Sequence, residues 1–239
     1  MNRLTGLSAF FPAYNEEGNI ERMCSSLKNV LPQVAEDFEI IVVNDGSEDR
    51  TREIADRMVR EDHRIRAVHH DRNRGYGAAI RSGMHACQKE YIFFTDGDNQ
   101  FDVSQISLFI PYTSEYDGVI GFRINRQDSW MRKANAWAWN WLVRWMFGLR
   151  VKDIDCAFKL FHRKVYEKIE LESSGAMIST ELLVKITKNG YRLHEIGVLH
   201  SPRLEGKQTG ANLRVILRAF KELFRFYKKM KEKKKHSFW

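Results

Sequence analysis

The sequence predicts an α/β fold in which a mostly parallel sheet is flanked by helices. In the first half of the chain, short apolar runs alternate with helical segments of about 10 to 15 residues, an order typical of parallel strands joined by right-handed crossovers. Three of the four apolar runs are followed directly by Pro12, Asn44 or Asp96, residue types that commonly form turns after strands. The 239 residues are also enough to bury a substantial core.

The elements of this half follow one another in a regular order. The first strand is predicted at residues 7–11 and is broken by Pro12, and a helix is predicted at residues 18–30. Further strands are predicted at residues 38–43, 66–69 and 91–95. The turn after the second strand contains Ser47, a good cap for the next helix because its hydroxyl accepts a backbone N–H bond.

The composition limits the classes of protein and partner. A formal net charge of +8 indicates an anionic partner, which leaves nucleic acid, a lipid surface and a phosphorylated substrate open. No run reaches the length of about 18 apolar residues that a transmembrane helix needs, and the N-terminal residues lack the pattern of a secretory signal. The 3 cysteines form no CxxC pair, which favours a reducing compartment and argues against structural zinc. We therefore expect a cytoplasmic protein.

The most informative segment is TDGDNQ, residues 95–100, directly after an apolar strand. Ligands of open α/β sheets bind at the carboxyl ends of the strands, where Asp96 and Asp98 present hard oxygen ligands. Mg²⁺ or Mn²⁺ held in this way keeps open positions for substrate phosphates, which indicates a site for a nucleotide diphosphate. A solvated acidic turn is the alternative, since Asp, Gly and Asn are common turn residues.

Other strands also end in residues suited to a nucleotide. Asp45 follows the second strand, where a carboxylate can accept hydrogen bonds from a base or a ribose. Tyr14 follows the first strand and offers an aromatic ring that can pack near a base. A helix-capping turn is the alternative explanation for Asp45. The coincidence of such residues at several strand ends favours a nucleotide site more than any single motif does.

Four segments, in order, carry a family resemblance: FFPAYNEEGNI, VVNDGSEDRT, NRGYGAAIRSG and FFTDGDNQFD. They resemble the inverting glycosyltransferases of family 2, in particular the branch of dolichol-phosphate mannose synthases and bacterial polyprenyl-phosphate glycosyltransferases. The resemblance covers about residues 5–210. It implies the GT-A fold, a Rossmann-like domain around a mixed sheet. We assign this domain to residues 1–212, and a basic amphipathic helix and tail to residues 213–239.

The resemblance also implies roles on the donor side. The residues that would line the nucleoside pocket are Pro12, Tyr14, Glu16 and Asp45. The residues that would hold Mg²⁺ or Mn²⁺ on the donor diphosphate are Asp96, Asp98 and Gln100, which meet the family pattern D-x-D-x-Q in full. Gly75 belongs to the glycine-rich segment near the donor, where small residues let backbone approach the nucleotide.

On the acceptor side, the resemblance implies three phosphate-binding arginines: Arg123, Arg132 and Arg203. Arginine suits this role because a guanidinium group clamps phosphate bidentately, which lysine does less well. These three arginines, together with Asp96 and Asp98, form the predicted catalytic set. Two segments depart from the family pattern. Residues 151–159 contain Ala157 and Lys159 where Gly-Phe-Arg is commoner, and the loop at 200–210 has its lysine, Lys207, shifted in register.

The resemblance also bears on the acceptor's chemistry. Glu181 stands alone where relatives that glycosylate hydroxyl groups often carry a Glu-Asp pair that includes the catalytic base. A phosphate monoester is largely dianionic at pH 7, because its second pKa is about 6, and it needs no such base. The missing pair therefore favours a phosphate acceptor.

Two segments indicate a membrane surface. Tryptophans 130, 137, 139, 141 and 145 cluster within a single helical segment, and all but Trp139 share one face. From residue 213 onward, apolar residues recur on one helical face beside lysines and arginines, as in interfacial helices on anionic leaflets. The alternatives are an aromatic core helix, a C-terminal helix packed on the protein, RNA binding, and anchoring by a membrane partner protein.

The sequence therefore predicts an inverting, metal-dependent glycosyltransferase. Its donor would be a nucleotide diphosphate-sugar, either GDP-mannose or a UDP-hexose. Its acceptor would be polyprenyl phosphate at the cytosolic face of an anionic membrane. An integral membrane protein is a possible partner, and no nucleic-acid partner is expected. A hydroxyl acceptor is an alternative, with Asp153, Asp155 or Glu181 as the base. A nucleotidyltransferase and a non-enzymatic nucleotide-binding module are alternatives from other classes.

Overall fold

The computed structural model describes residues 3–124, 130–202 and 213–236. Its strands are β1 (Leu4–Ala13), β2 (Ala35–Asn44), β3 (Ile65–His69), β4 (Tyr91–Thr95), β5 (Gly118–Ile124), β6 (Phe158–His162) and β7 (Leu193–Leu199). Its helices are α1 (Ile20–Val34), α2 (Thr51–Glu61), α3 (Tyr76–Ala86), α4 (Trp130–Phe147), α5 (Arg163–Glu167), α6 (Ile178–Lys188) and α7 (Leu213–His236). In these residues the strands form one 7-stranded sheet with the order β3-β2-β1-β4-β6-β5-β7.

The sheet is mixed but mostly parallel. β1 pairs in parallel with β2 and β4, β2 pairs in parallel with β3, and β5 pairs in parallel with β7. β6 is antiparallel to its neighbours β4 and β5. The carboxyl ends of β1, β2 and β4 therefore lie along one edge of the sheet. The predicted α/β class with a mostly parallel mixed sheet is confirmed.

The core centres on β1, which is apolar along nearly its whole length because it lies between two other strands. The ring of Phe10 stacks on that of Phe94 in β4, with centroids 5.5 Å apart. Helix α3 presses Gly83 against Phe10, since a Cβ atom at position 83 would lie 2.2 Å from a Phe10 ring carbon. This contact sets the position of helix α3 relative to the sheet, and with it the start of the helix at Tyr76.

The bounds of the first elements differ from the predicted ones. β1 does not break at Pro12 but continues to Ala13. Proline is tolerated here because the last residue of β1 that pairs with β4 is Phe10, so Pro12 lies beyond that ladder. Helix α1 continues to Val34, four residues past the predicted end at residue 30.

The prediction that Ser47 caps the next helix is wrong. Helix α2 starts after Arg50, and the backbone N–H of Thr51 donates to Asp49 Oδ1 at 2.9 Å. Ser47 Oγ instead accepts the backbone N–H of Asn15 at 2.9 Å. The Ser47 hydroxyl, which the sequence alone predicts to cap helix α2, is therefore hydrogen-bonded to the loop after β1.

Helices α4 and α7 pack against each other through aromatic side chains. The ring of Trp139 meets Phe220 edge to face at 5.5 Å, and Phe147 lies 5.3 Å from Phe226. Leu223 is fully buried. Over its described side chains, helix α7 therefore uses part of its apolar face to pack on the protein. No helix in the described ranges is both long enough and apolar enough to cross a membrane.

Candidate active site

The loops that follow β1 and β2 are bonded to each other. Asn15 adopts a left-handed conformation with φ of 55°, and its Oδ1 accepts the N–H of Glu48 at 2.9 Å. The N–H of Glu16 donates to Thr51 Oγ1 at 2.9 Å. The two loops thus form one rim at the sheet edge, and this rim carries the exposed Tyr14 together with Glu16.

Asp45 is buried at the end of β2 and holds the segment that leads to helix α3. Its Oδ1 accepts hydrogen bonds from His70 Nδ1 at 2.5 Å and from the N–H of Arg74 at 2.9 Å, and its Oδ2 accepts the N–H of Gly75 at 2.8 Å. The other ring nitrogen of His70 bonds Ser82 Oγ at 2.8 Å. Asp45 therefore anchors the glycine-rich segment rather than capping a helix, and a contact with a nucleoside stays a prediction.

The glycines of this segment allow a close approach by residues 173–175. Gly75 has φ of +96°, and a Cβ atom there would lie 2.5 Å from the carbonyl oxygen of Ser174. A Cβ atom on Gly77 would lie 2.5 Å from the carbonyl oxygen of Ser173. The N–H of Gly77 donates to Ser174 O at 2.9 Å. The described contact is thus with protein backbone, and the approach to a nucleotide remains a prediction.

Asp96 and Asp98 follow β4 at the same sheet edge. The hydroxyl of Tyr76, the first residue of α3, donates to Asp96 Oδ1 at 2.9 Å. Burial and the charge of Asp98 raise the pKa of Asp96 to about 7, although the Tyr76 bond acts in the opposite direction. Burial and the charge of Asp96 raise the pKa of Tyr76 well above its ordinary range. A pair of mutually repelling carboxylates is an environment that a cation stabilises.

The carboxylate oxygens of Asp96 and Asp98 belong to the class of ligands that a divalent cation such as Mg²⁺ prefers. A Cβ atom on Gly97 would lie 2.7 Å from the carbonyl oxygen of Pro12, so the turn presses on the end of β1. Gln100 donates through Nε2 to Ser201 O at 2.9 Å, and its role as a metal ligand stays a prediction. The described residues contain no cluster of three or more His, Cys, Asp or Glu suited to a metal. Mg²⁺ bound by two carboxylates commonly takes further ligands from phosphates and water.

Arg123, at the end of β5, is held by a carboxylate. Its Nε donates to Asp153 Oδ2 at 2.7 Å and its Nη2 donates to Asp153 Oδ1 at 2.8 Å. Hydrogen bonding and the charge of Asp153 raise the pKa of Arg123 above its ordinary value, against the effect of burial. The bidentate pair uses two of the five guanidinium donors and fixes the plane of the group.

Two predicted arginines lie partly or wholly outside the described residues. Arg132 lies in helix α4, but its side chain is outside the described part of the structure. Arg203 and Lys207 lie outside the described residues altogether. The assignment of Arg132 and Arg203 to the acceptor phosphate stays a prediction.

The carboxylates considered as bases for a hydroxyl acceptor differ in their surroundings. Asp153 is engaged by Arg123. Glu181 is buried and accepts the N–H groups of Glu172 and Ser173 and the ammonium of Lys185, the last at 2.6 Å. Asp155 is exposed. Two of these three carboxylates therefore have structural roles in the described chain.

Three residues near the site were not identified from the sequence. Tyr76 bonds Asp96, His70 bonds Asp45, and Lys159 is fully buried below the acidic turn. Tyr76 lies inside the glycine-rich segment, so its position in a motif was the signal that could have identified it. No local pattern reveals His70, because its partner Asp45 lies 25 positions away. Lys159 lies in the segment that departs from the family pattern, but its sequence position gives no sign that its amine is buried.

Comparison with known proteins identifies the family. Residues 8–172 match the family described as Glycosyl transferase family 2. The chain belongs to this family. Its fold is similar to that of solved structures such as glucosyl-3-phosphoglycerate synthase from Mycobacterium tuberculosis in complex with Mn²⁺, UDP and glucosyl-3-phosphoglycerate. The TM-score is 0.67 at 17% identity, over 85% of this chain and 73% of that chain. The predicted GT-A fold is confirmed.

Curated relatives add similarity in sequence. Glycosyltransferase AglD from Haloferax volcanii is 32% identical over 84% of this family 2 chain and 34% of its own length. Dodecaprenyl-phosphate galacturonate synthase from Rhizobium johnstonii is 28% identical over 84% of this chain and 60% of its own. Undecaprenyl-phosphate 4-deoxy-4-formamido-L-arabinose transferase from Pseudomonas fluorescens is 28% identical over 88% and 61%. The chain thus spans about a third of the first relative and about three fifths of the other two.

Proposed function

We propose that this family 2 protein transfers a sugar from a nucleotide diphosphate-sugar to polyprenyl phosphate with inversion at the anomeric carbon. The names of the relatives from Rhizobium johnstonii and Pseudomonas fluorescens, which specify dodecaprenyl and undecaprenyl phosphate, support this class of acceptor. The donor would be GDP-mannose or a UDP-hexose. Pro12, Tyr14, Glu16, Asp45 and Gly75 would surround its nucleoside.

One observation carries the choice of a phosphate over a hydroxyl acceptor. A hydroxyl nucleophile needs a general base, and two of the three carboxylates considered for that role are engaged: Asp153 is paired with Arg123, and Glu181 is buried against backbone N–H groups and Lys185. The third, Asp155, is exposed and is the remaining candidate for such a base. A phosphate oxygen is already anionic and needs no base. The same Arg123 that occupies Asp153 offers a positive charge to that phosphate.

The reaction would proceed as a single displacement. An acceptor phosphate oxygen forms a bond to the anomeric carbon while the bond from that carbon to the donor diphosphate breaks. Arg123 would bind the acceptor phosphate in an orientation set by Asp153, with Arg132 and Arg203 as further phosphate ligands. Asp96, Asp98 and Gln100 would hold Mg²⁺ or Mn²⁺, which supplies charge stabilisation to the departing diphosphate.

The protein would act on the cytosolic face of an anionic membrane. Four indole side chains of helix α4 support this, because Trp130, Trp137, Trp141 and Trp145 are 57 to 78% exposed. Trp141 and Trp145 lie with parallel rings, 6.5 Å apart. Tryptophan is enriched where protein meets lipid headgroups. An integral membrane protein could add a second anchor.

The test is turnover of GDP- and UDP-sugars with Mg²⁺ or Mn²⁺, with and without a short polyprenyl phosphate. Release of nucleoside diphosphate and formation of a lipid-linked sugar are followed together. Lipid-dependent release from one donor supports the proposal and identifies the donor. Release that depends on a polyprenol or a glycan, and that Asp155→Asn abolishes, would instead establish a hydroxyl acceptor with Asp155 as the base.

A further inference from the structure

A lysine is buried in the middle of the sheet. Lys159 is the second residue of β6, has 0% of its surface exposed, and lies opposite Phe94 of β4 and Ile120 of β5. A buried amine destabilises a protein unless its donors are bonded, and apolar residues suit such a position better. Formation of the sheet therefore does not require a lysine here.

The amine of Lys159 reaches out of the sheet to a turn. Its Nζ donates to the carbonyl oxygens of Cys156 and of Ile154, the latter at 3.3 Å, above the ring of Phe94 at 5.3 Å. Both carbonyls belong to the turn between helix α4 and β6. A second contact, from the N–H of Ile154 to Asn140 Oδ1 at 3.2 Å, ties the same turn to helix α4.

This turn carries the partner of Arg123. Asp153 directly precedes Ile154, and its carboxylate receives both arms of the Arg123 guanidinium. Burial lowers the pKa of Lys159, whereas nearby charges, among them the carboxylates of Asp153, Asp155 and Asp96, favour its charged form. Ile154, whose carbonyl oxygen accepts a hydrogen bond from Lys159, is thus the residue next to Asp153, whose carboxylate holds Arg123.

We propose that Lys159 is a positioning residue, which fixes the 153–156 turn through two carbonyl oxygens and thereby sets Asp153 and the guanidinium of Arg123. The last step, orientation of Arg123 toward an acceptor phosphate, rests on the proposed function. Fixing of the turn does not.

The first test is amide hydrogen exchange of the ligand-free protein. Lys159→Met has a similar length but no donor, and the matched control is Lys168→Met, which removes an exposed lysine. We expect exchange at residues 153–157 to become about tenfold faster in Lys159→Met, with β2 unchanged, because local opening depends on local bonds. Unchanged exchange in that turn overturns the proposal, whatever the reaction proves to be.

The second test separates acceptor from donor. Lys159→Met is expected to lower kcat/KM for polyprenyl phosphate about tenfold. Donor affinity at saturating Mn²⁺ is expected to change by less than about threefold, since the variant removes a charge near Asp96 but no hydrogen bond on the donor side. Lys159→Arg, with the residue commoner in the family pattern, is expected to restore most of the loss. An equal loss of donor affinity, or no restoration by Arg, would point to general damage and overturn the positioning role.

Two further outcomes have defined meanings. If Lys159→Met does not fold, Lys159→Gln takes its place, because the shorter amide cannot reach both carbonyls. If the wild-type protein uses no lipid phosphate but the turn still opens in the variant, the proposed function fails while the role of Lys159 in the turn stands. In the double variant Lys159→Met/Asp153→Asn, losses smaller than the sum of the single ones are expected, because both act through Arg123.

Discussion

The hydroxyl of Tyr76 donates a 2.9 Å hydrogen bond to Oδ1 of Asp96, which joins the start of helix α3 to the acidic turn after β4. Because partners of metal-binding carboxylates orient them, their loss commonly costs about 10- to 100-fold in metal affinity. We predict that Tyr76→Phe weakens Mn²⁺ binding about tenfold, measured by calorimetry in the presence of nucleoside diphosphate.

The control for this variant is Tyr191→Phe. The hydroxyl of Tyr191 also donates to an oxygen, the carbonyl of Lys164 at 3.3 Å, but on an exposed surface. It is expected to bind Mn²⁺ as the wild type does. Wild-type affinity in Tyr76→Phe would remove the assigned role of its hydroxyl.

Substitution of the acidic turn is predicted to abolish turnover. Asp96→Asn and Asp98→Asn each remove a charged oxygen ligand while keeping the side-chain shape, so we expect sugar transfer to fall by about 1,000-fold or more. Asp102→Asn is the matched control, since Asp102 bonds the N–H of Ser104 at 2.9 Å at the start of a short helix. Near-normal turnover in either of the first two variants would rule out the metal assignment.

Metal binding is predicted to strengthen as pH rises toward 7. The pKa of Asp96 is about 7, against an unfolded value of about 3.9, so between these values the native state holds more protons than the unfolded state. The contribution of this group to stability therefore falls as pH rises through that window. A cation competes with the proton, so Mn²⁺ affinity and the Mn²⁺-induced rise in Tm are expected to increase from pH 5.5 to 7.5.

Asp96→Asn tests the assignment of this pH effect. The variant carries no titrating group at this position, so its metal-free stability is expected to vary less with pH between about 4 and 7. Thermal melts across this range measure the difference. Identical pH profiles for the variant and the wild type would assign the effect to other groups.

Asp153→Asn is predicted to impair use of the acceptor. The change leaves Arg123 with one charged partner fewer, and we expect kcat/KM for polyprenyl phosphate to fall about 10- to 100-fold with donor affinity within about twofold. Asp62→Asn is a matched control, because Asp62 makes the same bidentate pair with Arg64, at 2.8 and 2.9 Å. That pair lies just before β3, at the sheet edge opposite to β5 and β7. Equal losses in both variants would indicate an effect on the fold rather than on the acceptor.

The exposed indoles of helix α4 are predicted to bind anionic vesicles. Replacing Trp141 and Trp145 by Gln is expected to lower partitioning about tenfold or more, because indole rings insert at headgroup level. Leu108→Gln is the control, since Leu108 is a large exposed apolar residue in another part of the fold. These point changes are preferable to deletion of helix α7, whose Leu223 is fully buried. Unchanged partitioning would leave a partner protein as the anchor.

Much of the fold could be predicted because its signals are local. The apolar run at β4 and the carboxylates that follow it are adjacent in sequence, so the strand and the position of Asp96 and Asp98 were both predicted. Ser47 was assigned wrongly for the opposite reason. Its hydroxyl is bonded by Asn15, which the pairing of β1 with β2 brings close.

The sequence by itself determined the alternation of strands and helices, the acidic turn after β4 and membership of glycosyl transferase family 2. Only the tertiary structure decided which charged groups are already engaged. Asp45 is held by residues 25 to 30 positions away, and Asp153 by Arg123 at a separation of 30. The order of strands in the sheet sets such distant pairs, and hydrogen bonding of buried charges then fixes their partners, since an unpaired buried charge is costly.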